Sequence, residues 1–170
     1  MHVLVATDGS ADVDEMATFA HALAGEGGRT TVTTIVLIPR QLLPELRAKW
    51  GEPAPVHVDS DSEYVGTLDV TTSMSKSWPG DDAVIKQYLG NKRVEICRPV
   101  TDAIRALGGS AESDVEEGTD IVAGIMSVAA SLTADVIVVG SHGHGAFPGL
   151  LGSTGSKLVR RAKRPVLILR

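Results

Sequence analysis

The sequence predicts an α/β fold built on a five-stranded, mostly parallel, doubly wound sheet with helices on both faces. Short β-branched runs alternate along the chain with segments whose apolar residues recur at helical spacing. Aromatic residues make up 4% of the chain and hydrophobic residues 43%, so Val, Ile, Leu and Ala must build the core. Such a core is typical of a parallel sheet covered by helices. Because the chain has 170 residues, we expect a single domain over 1–170.

The first part of the chain contains a predicted strand, helix and strand. The opening "MHVLVAT" is a short apolar run that ends in the polar turn "DGSAD". Apolar residues then recur at helical spacing from Val13 to Leu23, and Gly25 ends the predicted helix. The β-branched run "TVTTIVLIP", bounded by Pro39, is the second predicted strand.

The middle of the chain continues the alternation with weaker signals. A helix is predicted from Asp82, and its apolar stripe continues to Gly108. Pro99 lies inside this stripe, so we expect it to kink the helix or to split it in two. A weak third strand near 111–115 precedes a further helix over 121–132.

The last elements complete the predicted sheet. The run "DVIVVG" is the strongest strand signal in the chain, and a final helix is predicted from about Ser153. After Pro165, "VLILR" ends the sequence as a fifth strand. Five strands that alternate with helices predict a Rossmann-like, doubly wound arrangement.

Residues 41–81 do not fit this alternation and are predicted to form an insertion or lid. The segment contains four of the prolines, the acidic run "DSDSE" and a Thr/Ser-rich patch, and a hairpin is one alternative for its brief apolar alternation. Asp59, Asp61 and Glu63 have the spacing that begins a calcium loop. Tyr64 and Val70, however, stand where that loop requires Gly and Glu, so a solvated acidic loop is favoured.

Charge and cysteine content narrow the classes of function. The formal net charge of -5 opposes a broad nucleic-acid-binding face, in spite of the basic run "RRAKR". Cys97 is the single cysteine, which excludes an internal disulfide and a cysteine-rich zinc site. No segment has the pattern of a signal peptide or approaches the roughly 20 apolar residues that span a bilayer. We therefore expect a cytoplasmic protein without membrane insertion or a nucleic-acid partner.

The stretch "GSHGHGAFPGLLGSTGS" follows the strongest predicted strand and is the main candidate binding site. In a doubly wound sheet it would meet the turn "ATDGS" at the carboxyl edge, where ligands bind. Gly140 and Gly143 allow close approach of the backbone to a ligand. Gly152, Ser153 and Thr154 open a helix whose N–H groups and hydroxyls can bind a phosphate. The alternative is an ordinary glycine loop before a helix cap, since neither a P-loop nor a dinucleotide fingerprint occurs in this stretch.

The same stretch holds two histidines. His142 and His144 could face one side of an extended segment and bind a metal, but no Cys, Asp or Glu stands beside them, and a metal site needs three or four ligands. A contact from His142 to a bound ligand, or a polar loop residue, is favoured over a metal ligand. The pattern G-x-S-x-G of a nucleophile elbow does not occur here. We therefore expect neither a metal site nor a catalytic residue.

The chain resembles the universal stress protein family in three stretches. These are "VLVATDGS", "EEGTDIVAGIMSVAASLTADVIVVG" and "ADVIVVGSHGHGAFPGLLGSTGSKLVRRAKRPVLILR", which lie within 1–40 and 100–170. Nucleotide-binding members of that family carry Gly, two residues, Gly, nine residues, then Gly and Ser or Thr. Gly140, Gly143, Gly152 and Ser153 match this motif, with eight residues between Gly143 and Gly152 instead of nine. The resemblance implies the fold of the adenine nucleotide alpha hydrolase-like proteins.

The resemblance also implies a nucleotide site and its ligand. Asp8 would contact the ribose, the backbone of Leu37 would bind adenine, and the glycine loop would surround the phosphates and ribose of ATP or another adenine nucleotide, with or without Mg²⁺. Asp8 could instead serve only as a turn former, and Leu37 only as a core residue. The implied binding residues are Ala6, Thr7, Asp8, Leu37, Gly140, Ser141, His142, Gly143, Gly152, Ser153 and Thr154.

These observations lead to one main hypothesis and two alternatives. The main hypothesis is a homodimeric, ATP-binding stress-response regulator or sensor with at most slow ATP hydrolysis, paired through the terminal strand 165–170 as the resemblance implies. The first alternative is a dimeric interaction protein of the same fold that binds no nucleotide, because the glycine motif is one residue short. The second is an ATP pyrophosphatase, although "ATDGSAD" stands where such enzymes carry a serine- and glycine-rich phosphate loop.

Overall fold

A computed structural model of the chain describes residues 1–39, 41–50, 80–141 and 152–169. In chain order the elements are β1 His2–Ala6, α1 Val13–Ala24, β2 Arg29–Val36, α2 Leu42–Trp50, α3 Asp81–Lys92, a π-helical turn Arg93–Cys97, α4 Arg98–Ala106, β3 Ser110–Glu117, α5 Ile121–Ser131, β4 Val136–Gly140, α6 Ser153–Arg161 and β5 Val166–Leu169. The chain divides into two compact units, one of Met1–Ile38 with Ile85–Arg170 and the other of Pro39–Val84.

The sheet of the larger unit has five strands in the order β3-β2-β1-β4-β5. All four neighbouring pairs are parallel, so the predicted parallel, doubly wound α/β fold is confirmed. β1 lies in the middle of this order, and β3 and β5 are the two edge strands. The third strand, weakly predicted over 111–115, extends over eight residues.

Two hydrophobic clusters cover the opposite faces of the sheet. Side chains alternate between the faces of β1, so that Val3 and Val5 belong to one cluster and Leu4 and Ala6 to the other. On the first face the sheet packs against α1 and α4, and on the second against α5 and α6. Each face therefore has its own core, as the alternation of strands and helices predicts.

Local signals fix the ends of the helices that follow β1 and β3. Asp12 caps α1 by accepting a hydrogen bond from the N–H of Glu15 at 2.8 Å, and Asp120 caps α5 in the same way through Ala123 at 2.7 Å. Gly25 ends α1 with a φ of 68°, a left-handed conformation that glycine adopts readily.

The helical segment before β3 is interrupted as the proline predicts. α3 and α4 are joined by the π-helical turn, and the N–H of Arg98 bonds to the carbonyl of Arg93, five residues earlier. Pro99 lies in the first turn of α4, where its missing N–H leaves no helical hydrogen bond unmade. The stripe therefore consists of two α-helices with a wider turn between them.

The smaller unit, Pro39–Val84, contains the whole of the predicted insertion at 41–81. α2 was not predicted, because Pro44 argues against a helix. This proline occupies the third position of α2, where the backbone N–H has no acceptor within the helix, so it does not interrupt the helix. The predicted hairpin and the acidic run at 59–63 lie outside the described residues, and the role of 41–81 as an insertion or lid stays a prediction. Within the described ranges, no helix is both long and apolar enough to cross a bilayer.

Candidate functional site

The topology creates a crevice at the carboxyl edge of the sheet. From β1 the chain passes through α1 to β2 on one side, whereas from β3 it passes through α5 to β4 on the other side of β1. The strand order therefore reverses between β1 and β4, and ligands bind at such switch points in open α/β sheets. The turn after β1 and the start of α6 both lie at this edge.

A pocket of about 310 Å³ occupies the crevice. Its walls come from the ends of β1, β2 and β4 and from the first turns of α5 and α6. The lining residues are Ala6, Thr7, Asp8, Ala11, Thr33, Thr34, Ile35, Ile121, Ile125, Val139, Gly140, Ser141, Gly152, Ser153, Thr154 and Gly155.

The turn after β1 holds a carboxylate at the mouth of the pocket. The N–H of Thr7 bonds to the carbonyl of Thr33 at 3.0 Å, and the Thr7 hydroxyl accepts from the N–H of Gly9 at 3.0 Å. One oxygen of Asp8 accepts from both the N–H and the hydroxyl of Ser10. Gly9 has a φ of +83°, which permits this tight turn. These contacts fix the exposed Asp8 carboxylate, which can accept hydrogen bonds from ligand hydroxyls.

The start of α6 forms the anion-binding side. Gly152 precedes the helix, its N–H bonds to the carbonyl of Ser141 at 2.8 Å, and no hydrogen bond from a described side chain caps this end. Within an α-helix the N–H groups of the first turn have no internal acceptor, so those of Ser153, Thr154 and Gly155 can bind a ligand. The helix dipole and the two hydroxyls add to this preference for an anion.

The wall between these two polar ends is apolar. Ala6, Ile35 and Val139 contribute it from the sheet, and Ile121 and Ile125 from α5. α5 approaches β2 closely, since an added Cβ at Gly124 would lie 2.9 Å from Cγ2 of Ile35, and Gly118, in the turn between β3 and α5, would have its Cβ 2.8 Å from the same atom. The glycines thus let α5 form one side of a narrow apolar slot, which suits a flat ring.

The two helix N-termini at this edge differ in charge. Asp120 caps α5, whereas α6 has no side-chain cap in the part of the chain that the structure describes. Among the described residues, the lining contains one carboxylate, that of Asp8, and neither Lys nor Arg, and no Lys or Arg occurs between 140 and 156 in the sequence. In the described part of the site, backbone N–H groups and hydroxyls therefore supply the attraction for a phosphate.

The structure brings most of the sequence-predicted site residues together. Of the eleven, eight line the pocket: Ala6, Thr7, Asp8, Gly140, Ser141, Gly152, Ser153 and Thr154. Leu37 lies one residue beyond β2, is 45% exposed and does not belong to the lining. His142 and Gly143 lie outside the described residues, as does His144. Among the residues that are described, no group of three or more His, Cys, Asp or Glu could hold a metal ion.

Sequence reasoning missed the residues that only the fold places at this edge. They are Ala11, Thr33, Thr34, Ile35, Ile121, Ile125, Val139 and Gly155. The rule that ligands lie at the carboxyl ends of parallel strands could have suggested those of β2 and β4. For the two isoleucines of α5, the sequence carries only the apolar spacing of a core helix.

Solved structures of the same fold include several with adenine nucleotides. The universal stress protein from Archaeoglobus fulgidus in complex with dAMP is 18% identical to this chain, with a TM-score of 0.53, and the match covers 100% of this chain and 98% of that chain. A universal stress protein family protein from Arabidopsis thaliana with AMP bound is 15% identical, with a TM-score of 0.55 and coverage of 99% and 90%. A universal stress protein in complex with cAMP is 22% identical, with a TM-score of 0.53 and coverage of 100% and 96%.

The family of this chain is assigned from its sequence and not from the structural matches. No curated protein matches this chain. The sequence model of the universal stress protein family matches residues 1–170, which includes the segment 41–99 that the motif resemblance did not reach. The chain therefore belongs to the universal stress protein family.

Proposed function

We propose that this protein binds an adenine nucleotide in the pocket between β1 and β4 and acts as a homodimeric stress-response regulator or sensor. The observation that carries the proposal is the arrangement of the lining. The uncapped N-terminus of α6 and the Asp8 carboxylate stand at the two polar ends of one apolar slot.

Each part of a nucleotide has a matching group in this arrangement. The phosphate binds the N–H groups and hydroxyls at the start of α6, because these are donors without a helical acceptor. The ribose hydroxyls donate to Asp8, and the base lies against Ile121 and Ile125. The AMP, dAMP and cAMP bound by the three structural relatives each carry a single phosphate, which supports a site that requires one.

ATP is included in the proposal, with Mg²⁺ as a condition for tight binding. The lining residues provide no Lys or Arg for the terminal phosphates, so Mg²⁺ would have to neutralise part of their charge. We expect weak discrimination among AMP, ADP and ATP. With one carboxylate and no Lys or Arg among the described lining residues, the site is suited to binding, and we expect at most slow ATP hydrolysis. The single cysteine favours a cytoplasmic location.

Calorimetry with AMP, ADP and ATP, each with and without Mg²⁺, tests this function. In Asp8→Asn the amide oxygen can still accept from Ser10, so the turn is kept while the charge that binds the ribose is lost. We expect about ten-fold weaker AMP binding, because hydrogen bonds to charged groups contribute roughly 1.5–3 kcal/mol. Asp14→Asn is the matched control, since Asp14 is exposed in the first turn of α1 and does not line the pocket.

Two results would count against the proposal. If no adenine nucleotide binds to the wild-type protein, the alternative of a dimeric interaction protein without a nucleotide is favoured. If Asp8→Asn and Asp14→Asn bind AMP equally well, Asp8 is only a turn former.

A further inference from the structure

The positive charge of the chain is concentrated beside its last strand. Residues 136–170 contain six Lys or Arg and no Asp or Glu, although the whole chain has a formal net charge of -5. Four of these cations form a basic cluster at the end of α6 and in the turn to β5: Arg160, Arg161, Lys163 and Arg164. All four are exposed, and no ion pair joins them to an acidic residue within the described ranges.

Within its own chain, the basic cluster is far from the phosphate site. α6 begins at Ser153 in the wall of the pocket and ends at Arg161, and its nine residues span about 13 Å. Because β4 and β5 are parallel, the turn before β5 lies at the amino edge of the sheet, whereas the pocket lies at the carboxyl edge. The cluster is therefore too distant to supply the cation that the described lining of its own pocket lacks.

Pairing of two copies through β5 brings opposite edges of the two sheets together. A two-fold axis joins two identical strands in antiparallel orientation, because an antiparallel ladder exchanges its hydrogen bonds reciprocally. The start of one β5 then lies beside the end of the other. Such an axis is perpendicular to the sheet, so both pockets and both α6 helices stay on one face. Within one copy this shared face is marked by the hydrophobic cluster of Val139, Leu158 and Ile168.

This pairing places the basic cluster of one copy next to the phosphate site of the other. Neighbouring strands are about 4.8 Å apart, so the turn before the second copy's β5 lies roughly 10 Å from the end of β4, with one strand between them. Gly140 ends β4 and lines the pocket. Arg164 is the cluster residue nearest to the strand, since the carbonyl of the next residue, Pro165, already accepts from Ile137 of β4. An arginine side chain and the terminal phosphates of ATP together span this distance.

We infer that Arg164 of one copy binds the terminal phosphates of the nucleotide in the other copy's pocket. This inference rests on the proposed function, both the nucleotide and the dimer. The proposed nucleotide runs from α5 to the start of α6, so further phosphates extend toward β5 and the second copy. A guanidinium group binds phosphate oxygens in a bidentate manner, and here it offsets the charge that ADP and ATP add. The single phosphate of AMP stays at the start of α6 and does not need it.

Calorimetry with ATP and AMP tests the role of Arg164. The titrations omit Mg²⁺, so that the protein must supply the countercharge for the phosphates. We expect Arg164→Gln to bind ATP about ten-fold more weakly than wild type and to bind AMP equally well. Arg29→Gln is the matched control, because it removes the same charge from an exposed position at the start of β2, three strands from β5 in the sheet order. This control should leave both affinities unchanged.

A monomeric background shows whether Arg164 acts on the other copy. The backbone N–H of Ile168 faces the open edge of β5, so Ile168→Pro removes a bond of the dimer and keeps those to β4. We expect Ile168→Pro to bind ATP as weakly as Arg164→Gln does, and the two changes together to have no further effect. If Ile168→Pro does not fold, mixed dimers of Arg164→Gln and Asp8→Asn replace it. Their intact pockets receive Arg164 from the Asp8→Asn copy, so sites with wild-type ATP affinity should reappear.

The possible failures of the inference and of the proposed function differ. Equal ATP affinity in wild type and Arg164→Gln, or equal weakening of ATP and AMP, overturns the inference while the proposed function stands. The same holds if Arg164→Gln weakens ATP binding as much in the Ile168→Pro background, or if mixed dimers regain no wild-type sites. A wild-type protein that binds no AMP overturns the nucleotide site and the inference with it. A monomeric wild type that binds AMP overturns the dimer and the inference and leaves the nucleotide site.

Discussion

At the scale of single residues, Cys97 shows how burial controls chemistry in this protein. It ends the π-helical turn, is 0% exposed and belongs to the core on the α1 and α4 side of the sheet. Its thiol donates a hydrogen bond to the carbonyl of Asp114 at 3.4 Å. Burial, and secondarily the negative charge of Asp114, raises the pKa of this thiol from 9.0 to about 12. The sequence places this thiol on the apolar stripe of a predicted helix with Val100 and Ile104, but the extent of its burial depends on how the π-helical turn packs.

The raised pKa of Cys97 predicts how stability depends on alkaline pH. The folded protein keeps the thiol proton up to about pH 12, whereas the unfolded chain releases it above its ordinary pKa near 9. The stabilisation is therefore complete below pH 9 and is lost as the pH rises toward 12, by on the order of 1 kcal/mol per pH unit. Cys97→Ala has no thiol to ionise and therefore lacks this pH-dependent contribution. The excess unfolding free energy of the wild type over the variant should decrease above pH 9. Urea unfolding of both proteins from pH 8 to 11 measures this difference in unfolding free energy. A difference that does not change with pH would contradict the raised pKa.

At the scale of elements, the sequence predicts best where local chemistry and packing agree. α1 has a capping aspartate and a terminal glycine, and both ends lie within a residue of the prediction. β3 was only weakly predicted, because Glu112, Asp114, Glu116 and Glu117 are poor strand formers. Its place at the edge of the sheet leaves these side chains half-buried or exposed, so pairing with β2 is sufficient to form it. α2 was missed because Pro44 argues against a helix as long as its position within the helix is unknown.

The close approach of α5 to β2 gives a prediction at this scale. Alanine normally stabilises a helix over glycine by about 1 kcal/mol. In Gly124→Ala, however, the new Cβ would lie 2.9 Å from Cγ2 of Ile35. We expect a net loss of about 1–2 kcal/mol, because overpacking a core costs roughly 1–3 kcal/mol. The measurement is the free energy of unfolding in urea.

Gly90→Ala in α3 is the matched control for this substitution. An added Cβ at Gly90 meets no atom of the described residues within 4 Å, so we expect this variant to be up to about 1 kcal/mol more stable than wild type. Replacing Ile35 by Ala should relieve the clash, and Gly124→Ala should then cost less in that background. If both glycine variants are equally stabilised in the wild-type background, Gly124 does not lie in close contact with Ile35, and α5 does not pack tightly on β2.

At the scale of the whole molecule, the topology assembles the site from residues far apart in the sequence. Gly152 and Ser153 could be predicted because they stand at a helix start whose chemistry is local, and Asp8 because the turn after β1 resembles that of the family. Thr33 and Ile121 could not, because they enter the pocket only through the strand order and the packing of α5. The glycine loop between the two halves of the motif lies outside the described residues, so the consequence of its missing residue stays a prediction. Calorimetry with AMP and ATP addresses that consequence directly.

The two edges of the sheet differ, and this difference supports the proposed dimer. β3 carries four acidic side chains, and charged edges disfavour pairing with another strand. β5 consists of Val, Leu, Ile and Leu and carries no charged side chain. Two copies joined through β5 in a closed two-fold dimer would cover both apolar edges. The dimer therefore forms through the last strand in our proposal, as the family resemblance implied.

Replacement of one residue of β5 tests the dimer without removing the strand. Deleting 165–170 would also remove Leu169 from the core, so a loss of dimer after that deletion would be ambiguous. The carbonyl of Pro165 accepts from Ile137 of β4, and that of Leu169 accepts from Ser141 directly after β4, so by alternation the backbone N–H of Ile168 faces the open edge. Ile168→Pro removes this donor and should give a monomer, whereas Ile168→Ala shortens the same side chain, keeps the N–H and should remain a dimer. Light scattering at micromolar concentration should give about twice the 17.8 kDa chain mass for wild type and Ile168→Ala. A monomeric wild-type protein, or an Ile168→Pro variant that stays dimeric, would show that β5 is not the interface.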